Sequence, residues 1–196
     1  MSKKNDFATV VPAALEARAV EAEKALNTGL AKKLRYEAGI LGSEAVAKHF
    51  DGAEVSPNTV TGMAIYAIQK VRKLGRSAAG IKMEVDPYTI AILRAAQKLA
   101  ADSVPFTPQL VQATLSADIE VTDSPAITKI SKLRQAYSPG TARSQSNTSK
   151  QALVAAGMAK IDLVDGRKCL TVDMAHPLVA RALGDGPKAE APAKAK

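Results

Sequence analysis

The chain of 196 residues is 46% hydrophobic but only 4% aromatic, so we expect a core built mainly from Ala, Leu, Ile and Val. Its single Cys excludes an internal disulfide framework and fits a reducing, cytoplasmic location, and no apolar run near the start is long enough for a signal peptide or a membrane span. The formal net charge of +8 favours a polyanionic partner.

The basic residues are concentrated in two windows that contain no Asp or Glu. The window from Val55 to Met83 holds five of them and the window from Ser124 to Ile161 holds six, against 27 basic and 19 acidic residues in the whole chain. They are Lys70, Arg72, Lys73, Arg76 and Lys82, followed by Lys129, Lys132, Arg134, Arg143, Lys150 and Lys160. The two windows favour surfaces that bind nucleic acid, and the alternative interpretation is a pair of solvated faces.

The chain is predicted to begin with a flexible segment, residues 1–9, followed by one long helix. Ala, Leu, Glu and Lys dominate residues 11–38, and Pro12 suits the first turn of a helix. Gly29 is a candidate interruption, and either Gly39 or Gly42 should end the helix.

Two further helices complete the predicted N-terminal region, residues 10–83. Ser43 opens a short helix, and Ser56 is the predicted N-cap of a longer helix that has Pro57 at its first position and ends at Gly75. Small polar groups at the start of the second helix make the pair resemble a helix-turn-helix, although the turn is longer than usual. The alternative is an ordinary pair of antiparallel helices.

The second half, residues 86–183, repeats the pattern of capped helices. Asp86 opens one helix, Thr107 opens another, and residues 122–138 carry an apolar stripe typical of a third. This half is therefore predicted to be mainly helical.

The last part of the chain is predicted to start with a polar linker over residues 138–149. A helix over 146–157 follows and ends at Gly157, and His176 opens a final helical turn after a hairpin. By composition, residues 184–196 are predicted to form a disordered basic tail.

The segment GMAKIDLVDGRKCLTV is predicted to be that hairpin. Asp165-Gly166 suits a tight two-residue turn, in which both residues need positive φ. Ile161 and Leu163 share one face of the first arm, and two basic residues, Arg167 and Lys168, lie just past the tip.

The helix end and hairpin resemble the recognition helix and wing of the winged helix-turn-helix DNA-binding family. The matching residues are Leu153, Gly157, Met158, Ile161, Asp165, Gly166, Arg167, Leu170 and Thr171. The resemblance implies a mainly α fold with helix-turn-helix units, the second of them winged, and a role in binding DNA and regulating transcription. It leaves the recognition helix as either 146–157, which the adjacent wing favours, or 124–137.

The residues expected to bind nucleic acid come from both windows and from the hairpin. They are Lys70, Arg72, Lys73, Arg76, Lys129, Lys132, Arg134, Tyr137, Arg143, Asn147, Lys150, Arg167 and Lys168. Lys and Arg neutralise phosphates, and a polar side chain such as Asn147 near a helix start reaches phosphates or base edges. Tyr137 suits stacking on an exposed base, or else a half-buried place at a helix end.

Signals for an enzyme, a metal or a cofactor are absent from the sequence. His49, His176 and Cys169 lack zinc spacing, and GRSAAGIK has Ile81 where a phosphate-binding loop needs Lys. We therefore expect no enzymatic activity and no cofactor.

Three functions stay open at this point. They are a sequence-specific duplex binder, a single-stranded-DNA-binding cofactor of RNA polymerase or replication, and a protein-interaction module that binds no nucleic acid. The whole chain also resembles small phage proteins that bind single-stranded DNA and assist RNA polymerase. A homodimer is plausible, with residues 11–38 as the candidate arm.

Overall fold

A computed structural model describes residues 7–50, 57–81, 85–122 and 124–184. Helices dominate these residues and one antiparallel hairpin lies near the C-terminus, which confirms the mainly α-helical fold predicted from the sequence. The helices are α1 (Phe7–Lys24), α2 (Thr28–Leu41), α3 (Glu44–Ala47), α4 (Pro57–Gly62), α5 (Ile65–Ala78), α6 (Pro87–Ala101), α7 (Pro108–Leu115), α8 (Ser124–Ile130), α9 (Pro139–Ala155) and α10 (Pro177–Leu183), and the strands are β1 (Ala159–Val164) and β2 (Arg167–Val172). Within the described ranges, no helix is long and apolar enough to cross a membrane.

The predicted single helix over residues 11–38 is wrong, because the chain turns between α1 and α2. Leu26 adopts a φ of 58°, and the Asn27 side chain then caps α2 by accepting a hydrogen bond from the backbone N–H of Leu30 at 3.1 Å. The break therefore precedes Gly29. α1 also begins earlier than predicted, since Phe7 is buried and stacks on Phe50 with 4.3 Å between ring centroids.

The predicted helix from Ser56 to Gly75 is divided into α4 and α5, and Gly75 lies inside α5 instead of ending it. A Cβ atom on Gly75 would lie 2.6 Å from Val46 Cγ1 and 2.7 Å from Phe50 Cε2. The glycine thus lets α5 approach α3 and the turn that follows it. The predicted N-cap, Ser56, lies outside the described residues.

The caps predicted for α6 and α7 are confirmed. Asp86 Oδ1 accepts a hydrogen bond from the N–H of Thr89 at 3.1 Å, and Thr107 Oγ1 accepts one from the N–H of Leu110 at 3.4 Å. The third predicted helix is shorter than expected, because α8 ends at Ile130 and gives way to one 3₁₀ turn.

The predicted polar linker over residues 138–149 is wrong, because most of it lies in α9. Ser138 caps this helix by accepting a hydrogen bond from the N–H of Thr141 at 3.3 Å. The hydroxyls of Ser146 and Thr148 donate to carbonyls three or four residues earlier, so these polar side chains are satisfied inside the helix. The predicted end at Gly157 is confirmed by its φ of 69°.

The predicted hairpin and its turn are also confirmed. Val164 pairs with Arg167 across the turn, and Asp165 and Gly166 have φ values of 50° and 73°. The N–H of Leu170 in β2 donates to the carbonyl of Phe106 at 2.9 Å, so the segment between α6 and α7 lies beside β2. This bond joins the hairpin to the helices.

One apolar core contains side chains from both halves of the chain. It extends from Phe7 in α1 to Ala182 in α10. α9 packs against α5, α6, α7 and β1, so it lies where the N-terminal helices meet the C-terminal ones. Much of α9 is therefore covered, and its accessible surface is narrow.

Candidate nucleic-acid interface

The accessible side of α9 carries three of the predicted binding residues. Arg143 and Asn147 are exposed, and Lys150 and Val154 are partly exposed. Their spacing of three or four residues places them on one side of the helix, which we call the α9 stripe. No Asp or Glu occurs anywhere in α9, so the two charged residues of the stripe, Arg143 and Lys150, are both basic.

The opposite side of α9 fixes the direction of the stripe. Thr148, Ser149 and Ala152 are buried, and at about 3.6 residues per turn their mean direction is opposite to that of the stripe. Because this side is held in the core, the α9 stripe faces away from it. α9 has 17 residues, and Asn147 and Lys150 lie well inside it. The prediction that they lie at the start of the helix is wrong.

The hairpin adds two exposed basic residues to the same region, Arg167 and Lys168. Lys168 and Lys150 line one cavity of about 360 Å³ between α7, α9 and the hairpin, which we call the hairpin groove. Its lining residues are Pro108, Val111, Lys150, Ile161, Lys168, Cys169 and Leu170. The structure thus brings a cation from the second basic window beside a cation from the hairpin.

One acidic group on the hairpin, Asp162, is held by neighbouring side chains. The Asp162 carboxylate lies 3.2 Å from the ammonium of Lys160. A hydrogen bond from Thr171, and then the attraction of Lys160, lower the pKa of Asp162. Asp162 is therefore ionised at neutral pH and partly neutralised by its own strand.

Two predicted binding residues of the first window, Lys70 and Arg72, are instead engaged in ion pairs inside the protein. Lys70 Nζ lies 2.5 Å from Asp86 Oδ1, with the two side chains only 7% and 11% exposed. Arg72 Nε lies 2.7 Å from Glu37 Oε2, and Glu37 is buried. Both basic side chains of α5 are therefore engaged inside the protein, because a buried charge requires a partner of opposite charge.

The buried pairs shift the pKa values of their members. Burial lowers the pKa of Lys70 even though Asp86 favours its charged form. Burial opposes ionisation of Asp86, but hydrogen bonds and attraction from Lys70, together with hydrogen bonds from Thr89, outweigh it and lower the pKa of Asp86. Burial raises the pKa of Glu37, against the effect of Arg72.

The Lys70–Asp86 pair extends into a polar network that reaches α9. Thr89 Oγ1 donates to Asp86 Oδ2 at 2.8 Å and lies 3.0 Å from Ser149 Oγ, and both hydroxyl residues are fully buried. The network connects α5, the start of α6 and the covered side of α9. Sequence analysis missed it, because its members are far apart in the chain and only the N-cap signal of Asp86 was visible.

Three predicted site residues of the second window also have structural partners. Arg134 donates to the carbonyls of Ala113, Ser116, Ala117 and Ile119 at 2.7–3.0 Å, which satisfies the end of α7 and the loop after it. Lys129 lies 3.2 Å from the Asp102 carboxylate. Tyr137 is half-buried against Tyr88, with 4.7 Å between ring centroids, which matches the alternative interpretation of this aromatic residue.

The remaining predicted residues lie outside the α9 stripe. Lys132 is exposed after α8, and Lys73 and Arg76 are partly exposed on α5. The apolar walls of the hairpin groove, such as Val111 and Leu170, were not predicted. They come from separate elements, and no local pattern in the sequence could have indicated that they meet.

Two of the residues considered for metal binding or catalysis, His176 and Cys169, have ordinary structural surroundings. His176 caps α10 through Nδ1, which accepts a hydrogen bond from the N–H of Leu178 at 3.2 Å, and Cys169 is buried in β2. In the part of the chain that the structure describes, no cluster of three or more His, Cys, Asp or Glu residues could hold a metal ion.

Comparison with known proteins adds no relative. The chain matches no family model, and searches of curated proteins and of solved structures found no significant similarity.

Proposed function

We propose that the protein binds DNA through the α9 stripe and the hairpin, as a winged helix-turn-helix regulator of transcription. In this proposal α7 and α9 are the two helices, α9 is the recognition helix, and β1–β2 is the wing. The observation that carries it is the acid-free α9 stripe, which faces away from the core beside the basic hairpin.

The order of elements supports the proposal. The helices and strands of a winged domain follow the same order as α6, the segment at Phe106, α7, α9 and the hairpin. The hydrogen bond between Leu170 and Phe106 joins that segment to the hairpin. The chain departs from a simple helix-turn-helix because α8 and its flanking loops separate α7 from α9, where a turn of about 3–4 residues is usual. The insertion lies against α6 and α7.

The residue types suit contacts with DNA. Arg143, Lys150, Arg167 and Lys168 neutralise phosphates and supply affinity that depends on salt. Asn147 lies between the two basic residues of α9, and its amide can form two hydrogen bonds with an adenine edge. Recognition of sequence would then rest on Asn147 and affinity on the cations around it.

A second candidate function is a single-stranded-DNA-binding cofactor of RNA polymerase or of replication. The hairpin groove favours it, since the groove combines cations with an apolar interior beside the α9 stripe.

Fluorescence anisotropy with labelled single-stranded and duplex DNA across a salt titration tests the proposal. We expect Lys150→Ala and Arg167→Ala each to weaken binding and to reduce the salt slope by about one unit. Lys129→Ala is the matched control, because Lys129 is paired with Asp102. Wild-type affinity and slope in both test variants would contradict the proposal, and no binding at low salt would indicate a protein-interaction module.

A further inference from the structure

We infer that the hairpin groove takes an unpaired nucleobase, so that the protein engages single-stranded DNA through a base as well as through phosphates. The inference rests on the second candidate function, binding of single-stranded DNA, and names the feature by which the hairpin groove recognises a single strand. The juxtaposition that carries it is an apolar cavity with the side chains of Lys150 and Lys168 in its wall.

The groove has the size and chemistry that a base requires. Its volume of about 360 Å³ lies within the range of sites that hold small ligands. Ile161 is 42% exposed and supplies most of the accessible apolar surface for a base, while the buried Val111 and Leu170 lie behind it in the wall of the groove. Burial raises the pKa of the Cys169 thiol, so this wall of the groove is uncharged at neutral pH.

Two basic side chains make the groove selective for an anion. Neither Lys150 nor Lys168 has an ion-pair partner within the described residues, and they approach the groove from α9 and from β2. A phosphate between them would be attracted by both ammonium groups while its base occupies the apolar interior. A neutral apolar ligand would leave both ammonium groups without an anionic partner.

The groove also continues along α9. A second cavity of about 280 Å³ is lined by Gly62, Met63, Lys150, Gln151, Val154 and Ile161. Lys150 and Ile161 border both cavities, so the two are neighbours where α9 meets β1. This arrangement suits two neighbouring nucleotides of one DNA strand, with Lys150 near the phosphate that joins them.

The interior of the groove is accessible to an unpaired base and not to a paired one. In a duplex the bases are stacked and hydrogen-bonded, so only phosphates and groove edges would meet Lys150 and Lys168. A single strand can turn a base into the cavity at low cost, because its bases are not paired. The apolar surface therefore adds affinity for single strands alone.

The test compares two probes that have the same number of phosphates. Oligo-dT of about twelve nucleotides and an abasic oligonucleotide of equal length are titrated against the full chain at one salt concentration. We expect the wild-type protein to bind oligo-dT about tenfold more tightly than the abasic probe, since removal of roughly 55 Å² of apolar surface from water is enough for a factor of this size.

A matched pair of variants locates the effect in the groove. Ile161 and Val20 are both β-branched and both 42% exposed, but only Ile161 lines the groove. We expect Ile161→Ala to reduce the preference for oligo-dT several-fold while binding of the abasic probe is unchanged, and Val20→Ala to preserve the preference. The same preference for oligo-dT in the two variants, whether it is lost in both or kept in both, would overturn the assignment to the groove.

The two proposals fail in different ways. Equal affinity of the wild-type protein for both probes would overturn the inference about the base and leave nucleic-acid binding intact. Binding of neither probe, nor of a duplex, at low salt would overturn the proposed function and the inference together.

Discussion

The two acid-free windows look alike in sequence, but their longest helices, α5 and α9, place basic side chains differently. In the first window, Lys70 and Arg72 are drawn into the protein by carboxylates that lie 16 and 35 residues away along the chain. In the second, Arg143 and Lys150 lie on the accessible side of α9, where no acid accompanies them. A window without acids therefore does not identify a free basic surface, because partners can come from any part of the chain.

The difference follows from how the two helices are packed. α5 has neighbours on several sides, and Gly75 permits one of them to come very close. Long basic side chains in such a helix must find partners as they lose water. α9 is also packed on several elements but keeps one narrow side open, and its cations lie there. Exposure, and not local charge, separates the candidate binding residues from the structural ones.

The largest expected effect comes from breaking the Lys70–Asp86 pair. Lys70→Met should lower the free energy of unfolding by about 3 kcal/mol, because it leaves a buried carboxylate without its partner. Lys129→Met is the control, since it breaks the more exposed pair with Asp102 and should cost less than about 1 kcal/mol. Urea denaturation of the two variants measures both values. Equal losses of stability would mean that the Lys70–Asp86 pair contributes no more than the exposed pair.

The close approach of α5 is tested by two glycine substitutions that should act in opposite directions. Gly75→Ala should destabilise the protein by about 1–3 kcal/mol, because the new Cβ would collide with Val46 and Phe50. Gly39→Ala in α2 meets open space and should stabilise it by about 0.5–1 kcal/mol. Thermal or urea unfolding compares them, and a neutral Gly75→Ala would argue against the packing that buries the first window.

The buried pair should also appear in the pH dependence of stability. Because the pKa of Asp86 is lowered in the folded protein, its stabilising contribution is complete above the unfolded value of about 3.9 and is lost as the pH falls through the folded pKa. The stability difference between wild type and Asp86→Asn should therefore shrink as the solution is acidified below about pH 4. Urea midpoints across this pH range measure the difference, and a constant value would contradict the lowered pKa.

The smallest expected effect concerns recognition by the α9 stripe. Asn147→Ala should reduce discrimination between base sequences by about 1 kcal/mol without changing the salt slope, because an amide neutralises no phosphate. Ser144→Ala, a change at an exposed neighbour in the same helix, is the control. Binding measured on a randomised set of duplexes compares the variants. A lower salt slope in Asn147→Ala would show that the residue acts in another way.

Local signals in the sequence predicted the parts of the fold that depend on local chemistry. The caps at Asp86 and Thr107 and the hairpin turn at Asp165-Gly166 each rest on a side chain or a φ angle that a short segment specifies. The break at Leu26 was missed because a leucine with positive φ has no sequence signature, although Asn27 next to it is a good N-cap.

The candidate site was predicted only in part. Its charged members were visible in the sequence, but most of α9 was mistaken for a linker because Ser, Thr, Gly and Pro dominate its first half. The structure buries Ser146, Thr148 and Ser149, which a pattern of apolar residues cannot predict. The hairpin groove depends on three elements meeting in space, so it required the structure.

A comparison of two charge-matched variants tests most directly whether DNA is bound by the α9 stripe and the hairpin, and not by net charge alone. One variant carries Arg143→Ala, Lys150→Ala and Lys168→Ala, and the other carries Lys73→Ala, Arg76→Ala and Lys132→Ala. Anisotropy titrations with one duplex and one single strand across a salt series should show a slope reduced by about two to three units in the first variant, with little change in the second. Equal losses in the two variants would mean that net charge alone drives binding, which would contradict the assignment of the interface to α9 and the hairpin.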